Sequence, residues 1–527
     1  MEILDHSGSE TVRTSLPRLV GSPRLFPDAA FLVVVVAQLL LIWAFPRIPT
    51  QDGPVHVASA LAFRDLGEPG TSYATLFERR LEPFPNWTSH LLLAAMTRML
   101  DPTTAEKVLV SLWFLLWPLG AWRLAGALGT DRTTLSGVAL LIAFGRAFWL
   151  GFYNFLLGAA LALLVVAWVE ARREGKTTRD VAISMGFFLV LFFTHLGAWV
   201  LAAVIVVALA SVSADRARRL PRLVVGLAPS LVLVIVFVYR AGVLRSAWFG
   251  CALRSLSSAS GSSTSEGAFS WLRLEWFGAH AGSWTTALTL ATLAVLAALL
   301  IGAIEAVSVR RDDSRLAARR VVLAIGGCAM LAFLLGPDDL GAHAGYLRAR
   351  LALVAPMLVL AGLAAAHPKG LRLGVLWALF LLNVWNVACV ASFLSKANRD
   401  LQEFTAAADV VGRGKTLVLV SEEDPDEPFD YINPNLYCFG TGNAVATNYQ
   451  AGTSHFPLHY RPGVRKAARE MASQTRPIWT DVALLWDVAV PRPRGLTNDY
   501  VEAYRRGRLR VFARRDAGPD GEPQVPQ

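Results

Sequence analysis

The sequence predicts an all-α polytopic membrane protein of about eleven transmembrane helices, N-terminus in and C-terminus out, with a small C-terminal extracytoplasmic α/β domain. Three observations lead there. Hydrophobic residues make up 54% of the 527 and charged residues only 17%, more apolar surface than a soluble fold can hide. Apolar runs near the ~20 residues needed to cross a bilayer recur between positions 29 and 394. Beyond 394 they stop, and short β-patterned segments take over.

Residues 1–28 carry Arg13, Arg18 and Arg24 and read as a cytoplasmic segment. Span 1 (29–46) ends at Pro46 with no small-residue cleavage pattern, so it reads as a retained span rather than a signal peptide. Residues 47–105 form a long first outer loop. Within it, 54–66 and 71–82 have the pattern of short amphipathic helices broken by Gly67, Pro69 and Gly70. Residues 87–100 are apolar but short, and they carry His90 and Arg98, which marks an interfacial or re-entrant helix. Spans 2 (106–127), 3 (133–149) and 4 (154–170) follow, the last ending at the basic tract EARREGKTTRD. Residues 181–212 are too long for one span and hold FFTHLGAW at their middle, which reads as a hairpin of spans 5 and 6 with His195 at its outer turn. Span 7 (222–239) leads to a Ser/Gly-rich outer loop. Spans 8 (285–306), 9 (321–336), 10 (351–366) and 11 (371–394) complete the series, and basic loops fall on the cytoplasmic side at the main turns.

Domain 395–517 reads as α/β. KTLVLVSEED, DVALLWDVAV and RLRVFARR have strand patterns, 464–473 is helical, and 518–527 is a disordered tail. The net charge of +10 does not imply nucleic acid, because the Arg clusters flank apolar runs and suit anionic lipid headgroups. Of the four cysteines, Cys328 and Cys389 fall in spans and read as core residues. Cys251 and Cys438 both fall outside, where a disulfide is allowed.

The stretch IPTQDGPVHVASALAFRDL holds the leading chemical candidates. Asp52 is the only acid between Asp28 and Asp65, and His56, four residues on, shares its helix face. Transfer of a sugar from a lipid phosphate to a hydroxyl needs a carboxylate to take the acceptor proton, cationic groups on the leaving phosphate, and exclusion of water. Asp52 suits the first role. Its plainer reading is a helix N-cap ahead of Pro54. His56 can orient Asp52 or bind phosphate, or it is a surface histidine of an interfacial helix. Arg348 and Arg350 in YLRAR, with Tyr346 opening that motif, suit the donor phosphate, against a reading as snorkelling arginines. His195 is a further donor-side candidate, costly in an apolar turn without a partner. Asn86, His90 and Asn154 are candidates for the substrate pocket. Asn86-Trp87-Thr88 also matches a glycosylation sequon. Asp338 and Asp339 form an acidic pair able to bind a metal or the acceptor, with turn caps after Gly336-Pro337 as the preferred reading. H-E-x-x-H, Walker and GxSxG motifs are absent, leaving metalloprotease, ATPase and serine-hydrolase readings without support.

Several segments together resemble the GT-C superfamily of integral membrane glycosyltransferases, which includes protein O-mannosyltransferases, aminoarabinose transferases and oligosaccharyltransferases. They are PTQDGPVH after span 1, PFPNWTSHLLLAAM, TAEKVL, FGRAFWLGFYN after span 3, and RARLALVAPMLVLAGLA late in the chain. The resemblance implies inverting transfer from a polyprenyl-phosphate sugar, with Asp52 as general base and Arg348 or Arg350 near the donor phosphate. The acceptor is expected to be a glycan, lipid or protein, and no cofactor is expected, the departures from the family pattern arguing against a bound metal. The chain departs from the pattern in two places. Gln51, not a second acid, precedes Asp52, and Asn154 stands where several relatives have an acid. The abundance of Arg, Ala and Gly fits a bacterium, placing the chain in the inner or plasma membrane with the active face extracytoplasmic.

Two other classes compete. A transporter buries ionisable groups at mid-membrane and shows repeated halves, whereas here the polar candidates gather at the outer mouth. A non-catalytic protein that binds lipid-linked sugars during envelope assembly needs the same pocket as the enzyme.

Overall fold

A computed structural model describes residues 25–173, 177–240, 268–309, 315–338, 345–363, 369–421, 429–453, 455–473, 477–488 and 495–515. The Ser/Gly-rich loop centre, Cys251, Asp339 and the 518–527 tail lie outside the described residues.

The chain is mostly helical. In order come α1 (Leu25–Ala44), α2 (Gly53–Arg64), α3 (Tyr73–Leu76), α4 (Thr88–Met96), α5 (Pro102–Leu128), α6 (Arg132–Leu141), α7 (Arg146–Trp149), α8 (Tyr153–Ala171), α9 (Thr178–Thr194), α10 (Leu196–Ser211) and α11 (Arg216–Arg240). They are followed by α12 (Ala268–Arg273), α13 (Thr285–Val309), α14 (Leu316–Leu335), α15 (Leu347–Leu363), α16 (Lys369–Phe404), α17 (Ala408–Val411) and α18 (Val464–Ala472). Among the described residues, six helices are long and apolar enough to cross a membrane: Pro102–Leu128, Tyr153–Ala171, Arg216–Arg240, Gly282–Ile301, Leu316–Leu335 and Arg372–Val411.

Local chemistry sets the helix ends. Asp101 accepts from Thr104 N at 3.0 Å at the start of α5, Pro102 fits the first turn, and Gly129 closes the helix in the left-handed region. Asp131 caps α6 through Thr133 N at 3.1 Å and pairs with Arg372 of α16. Between α5 and α6 lies an aromatic layer of fully buried Trp113, Phe114, Trp117, Phe144, Phe148 and Trp149. The Trp113 and Trp117 indoles donate to the Ala143 and Ala139 carbonyls at 3.1 and 3.0 Å, as buried indoles require.

Three expectations are corrected. The segment read as span 3 is a ten-residue helix followed by a turn and four-residue α7, well below the ~20 residues of a straight crossing. Residues 71–82 are not a helix. After α3, β1 (Phe77–Arg79) pairs antiparallel with β4 (Leu458–Tyr460), because a distant strand supplies the ladder that local propensity cannot anticipate. Cys328 faces outward rather than into the core. α4, by contrast, is nine residues long, far too short to cross.

The C-terminal region holds a five-stranded sheet in the order β3 (Ala444–Val445), β2 (Thr416–Ser421), β5 (Val482–Trp486), β7 (Leu509–Arg514), β6 (Tyr500–Arg506). β2 runs parallel to β3 and β5, whereas β7 is antiparallel to β5 and β6. α16 continues past 394 to Phe404 and carries Asp400 and Glu403, which pair with Arg508. The sheet is thus bolted to the last long helix. Cys438 is buried with a free thiol.

Candidate functional site

The segment from α1 to Asp52 is held on every side. Lys107 Nζ donates to the Phe45 carbonyl at 2.6 Å. The Asn398 amide accepts from Arg47 N at 3.0 Å and donates to the Arg47 carbonyl at 3.1 Å. Gln51 N and Asp52 N donate to the Trp149 and Leu150 carbonyls at 2.9 and 3.2 Å, and Asn433 Nδ2 donates to the Gln51 carbonyl at 2.7 Å. Beneath the loop, the Thr50 hydroxyl lies 3.1 Å from that of Tyr153. Tyr153 in turn donates to buried Glu106 at 2.6 Å. Gly151 has φ of +75°, and a Cβ there would stand 2.6 Å from Gly53 N and 2.9 Å from Asp52 N. Only glycine meets both demands.

Asp52 occupies the N-cap position of α2, with Pro54 in the first turn, yet its side chain makes no capping bond. Instead Asp52 Oδ2 accepts from the Tyr449 hydroxyl at 2.8 Å. Oδ1 has no hydrogen-bond partner among the described residues. Asp52 is 8% exposed. Burial pushes its carboxyl up to about 7, against the Tyr449 hydroxyl, which holds it down. Burial, and after it the Asp52 charge, raises the Tyr449 phenol, so Tyr449 stays a donor across the neutral range.

One turn on, His56 is buried and stacked on Tyr153, with ring centroids 5.5 Å apart. The Gln450 side-chain nitrogen lies 3.1 Å from His56 Nδ1 and 3.4 Å from the Tyr449 hydroxyl. Gln450 Oε1 lies 2.9 Å from His90 Nε2. Burial lowers both imidazoles, His90 to about 4, and the nearby His90 adds to the depression of His56. Both are neutral at pH 7. His56 N donates to the Asp52 carbonyl at 3.0 Å, but among the described residues no hydrogen bond joins their side chains, which are linked through Gln450 and Tyr449.

The two arginines differ. Arg348 donates to the Gly336 carbonyl at 3.2 Å and lies 4.0 Å over the Trp271 ring. Arg350 lies over Phe152 and Phe155 at 5.0 and 5.7 Å. The Nε atoms of both arginines are buried and unpartnered among the described residues, and Arg350 stands within electrostatic reach of Tyr449 and His195. Arg350 is therefore the arginine on the Asp52 side. His195 is the single residue between α9 and α10, and its Nδ1 caps α10 by accepting from Gly197 N at 3.1 Å. Tyr346 has φ of +53°. Its ring meets Phe152 at 5.5 Å, and the Arg146 guanidinium lies 5.6 Å above it.

Asn86 and Asn154 form a structural staple. Asn154 Oδ1 accepts from Ser89 N at 2.9 Å and Nδ2 donates to the Asn86 carbonyl at 3.2 Å. That carbonyl also lies 3.2 Å from His90 Nδ1. Asp338 Oδ1 accepts from Arg348 N at 2.8 Å, which is a capping role.

Sequence reasoning missed several residues here. It assigned no site to the C-terminal domain, yet Tyr449 and Gln450 come from it. Glu275, on a π-helical turn (Leu274–Gly278), pairs with Arg146 at 3.1 Å and is pushed up to about 7 by burial, against the Arg146 charge. Such turns gather at functional positions. Glu106 carried a signal, an acid in an apolar helix, whereas TNYQAG around Tyr449 carries none. Among the described residues no cluster of three or more His, Cys, Asp or Glu could hold a metal.

Compared with known proteins, the chain matches no protein family, no curated protein and no solved structure. The site is therefore read from its own geometry.

Proposed function

We propose that this chain is a GT-C-like membrane glycosyltransferase that moves a sugar from a polyprenyl-phosphate donor to the hydroxyl of a glycan, lipid or protein acceptor. Asp52 acts as general base. The observation that carries the reading is the Asp52 side chain. It sits at a helix N-cap, forgoes the capping bond, and is buried with one oxygen held by Tyr449 and the other unengaged. A cap residue normally stabilises its helix by ~1 kcal/mol, and here that gain is forgone for a different geometry.

In the proposed step Asp52 Oδ1 takes the acceptor proton as the acceptor oxygen attacks the anomeric carbon. The bond from that carbon to the phosphate oxygen breaks with inversion, and the electron pair leaves with the polyprenyl phosphate. A carboxyl near 7 is matched to proton abstraction at neutral pH. Arg350, with its unpartnered Nε, meets the departing phosphate. Neutral His56 and His90 position Gln450 and Tyr449 without adding charge. The reading places the N-terminus in the cytoplasm and the site on the extracytoplasmic face of an inner or plasma membrane. It uses no cofactor.

The test is transfer of radiolabelled sugar from a panel of polyprenyl-phosphate donors in liposomes, with wild type and Asp52→Asn compared. Transfer by wild type, lost in the variant while donor binding persists, is expected. Equal transfer by both would remove Asp52 from the mechanism.

A further inference from the structure

A cavity of about 630 Å³ lies between α16 and the 278–284 segment. Trp149 stands behind its lining, against His280, Phe393 and Phe429. Its carbonyl accepts from Gln51 N, its indole donates to His280 Nδ1 at 3.0 Å, and its ring stacks on Phe429, which lines the cavity, at 6.0 Å.

The lining sorts by height along α16. Trp385, Cys389, Ser392 and Lys396 all line the cavity, a spacing of three and four that keeps them on one helix face. From Trp385 to Lys396 the helix rises about 16 Å. At the lower end the Trp284 and Trp385 rings meet edge to face at 5.8 Å. Trp284 is 57% exposed and stands in the apolar membrane-length stretch Gly282–Ile301. At the upper end, toward the C-terminal domain, Lys396 is exposed and has no ion-pair or hydrogen-bond partner among the described residues. Of the other polar side chains in the lining, those of His280 and Tyr431 are committed. Both His280 nitrogens are engaged, with Trp149 and with Asn386 at 2.7 Å, and the Tyr431 hydroxyl donates to Asp400 at 2.7 Å.

A sugar ring needs several free donors and acceptors around it, whereas the neutral polar groups left here are the Ser283 and Ser392 hydroxyls and the Cys389 thiol, set beside an aromatic wall. One free cation above an aromatic wall that opens to the bilayer suits a phosphate headgroup above a hydrocarbon chain. We propose that this cavity seats one anionic phospholipid from the leaflet on the side of the C-terminal domain. Its phosphate pairs with Lys396 and one chain runs down the Trp284–Trp385 face. The seated lipid braces the Trp149 wall and through it the backbone that holds Gln51 and Asp52. The assignment stands whether or not the chain transfers sugar.

The test uses the full-length protein in nanodiscs doped with a diazirine-bearing phosphatidylglycerol, with adducts mapped by peptide mass spectrometry. Adducts are expected on 278–284 and 385–396, about fivefold above those from the matching phosphatidylcholine, the preference one lysine gives an anionic headgroup. Lys396→Glu is expected to erase that preference and Lys396→Arg to keep it. Because Lys396 is exposed and unpaired, both variants should fold, which their melting temperatures verify. Equal yields from both headgroups, unaffected by Lys396→Glu, would overturn the proposal. So would adducts lying elsewhere, or a polyprenyl-phosphate probe that displaces phosphatidylglycerol from these peptides.

Discussion

Replacing Tyr449 with Phe removes one hydroxyl and leaves the ring that packs edge-on against Phe456 at 6.4 Å. The lost bond is the one interaction that lowers the Asp52 carboxyl against burial. A hydrogen bond to a charged group is worth about 1.5–3 kcal/mol. At about 1.4 kcal/mol per pH unit, its loss raises the carboxyl by roughly one to two units. In the proposed mechanism the ionised form of Asp52 is the base, so activity is expected to rise with pH through its pKa. The wild-type profile of kcat/KM should rise near 7 and that of Tyr449→Phe near 8 or above. At pH 7 the variant should keep about a fifth of the wild-type activity or less, recovering in part at high pH. Burial holds the His56 imidazole well below its ordinary value and His90 at about 4, so neither adds a limb in this range. Glu275 is also pushed up to about 7, so the profile is recorded in Glu275→Gln as well, where the Asp52 limb should persist. A profile that drops uniformly with its limb unmoved would refute the link between Tyr449 and the ionisation of Asp52.

Asp52→Asn should stabilise the protein, and only at the higher pH. The folded carboxyl lies above its unfolded value of 3.8, so its ionisation lowers stability as pH rises from 4 through 7. The gain in melting temperature should be larger at pH 8 than at pH 4. Gly151→Ala sets a Cβ against the Asp52 backbone at a positive φ. It should cost at least ~1–3 kcal/mol in a denaturation series and lower transfer more than donor affinity. Tyr153→Phe leaves buried Glu106 without its donor and Thr50 without its partner, which should cost about 1–3 kcal/mol by chemical denaturation. Asn154→Ala removes two bonds to the 86–89 turn and should loosen that turn, seen as faster amide exchange at Ser89 and His90.

Much of this arrangement was legible from residue order. Asp52 is conspicuous because it is a lone acid directly after an apolar span and before Gly-Pro. His195 is conspicuous because an imidazole interrupts an apolar hairpin. The strands at 416–421, 482–486 and 509–514 announce themselves by β-branched and aromatic alternation. Other features depend on pairings across hundreds of residues. β1 reads as part of a helix until Leu458–Tyr460 lies beside it. Tyr449 and Gln450 sit in a short irregular stretch whose only distinction is where the fold brings it. Asn154 and Asn86 were read as pocket residues on polarity, and their hydrogen bonds go to holding a turn. Span 3 was drawn from hydropathy, which does not register that the chain turns after Leu141 to form the aromatic layer around Trp149.

The bond between Tyr449 and Asp52 joins residues 397 positions apart. During synthesis the acid is inserted early, while its hydroxyl donor is made only after nearly all of the helical part has emerged. Until then neither Tyr449 nor Gln450 is available to Asp52. The site therefore has a built-in completion check: a truncated product keeps the membrane-length helices and the acid but lacks the residues that tune it. Premature termination before codon 449 should yield an inert membrane protein rather than a misregulated one.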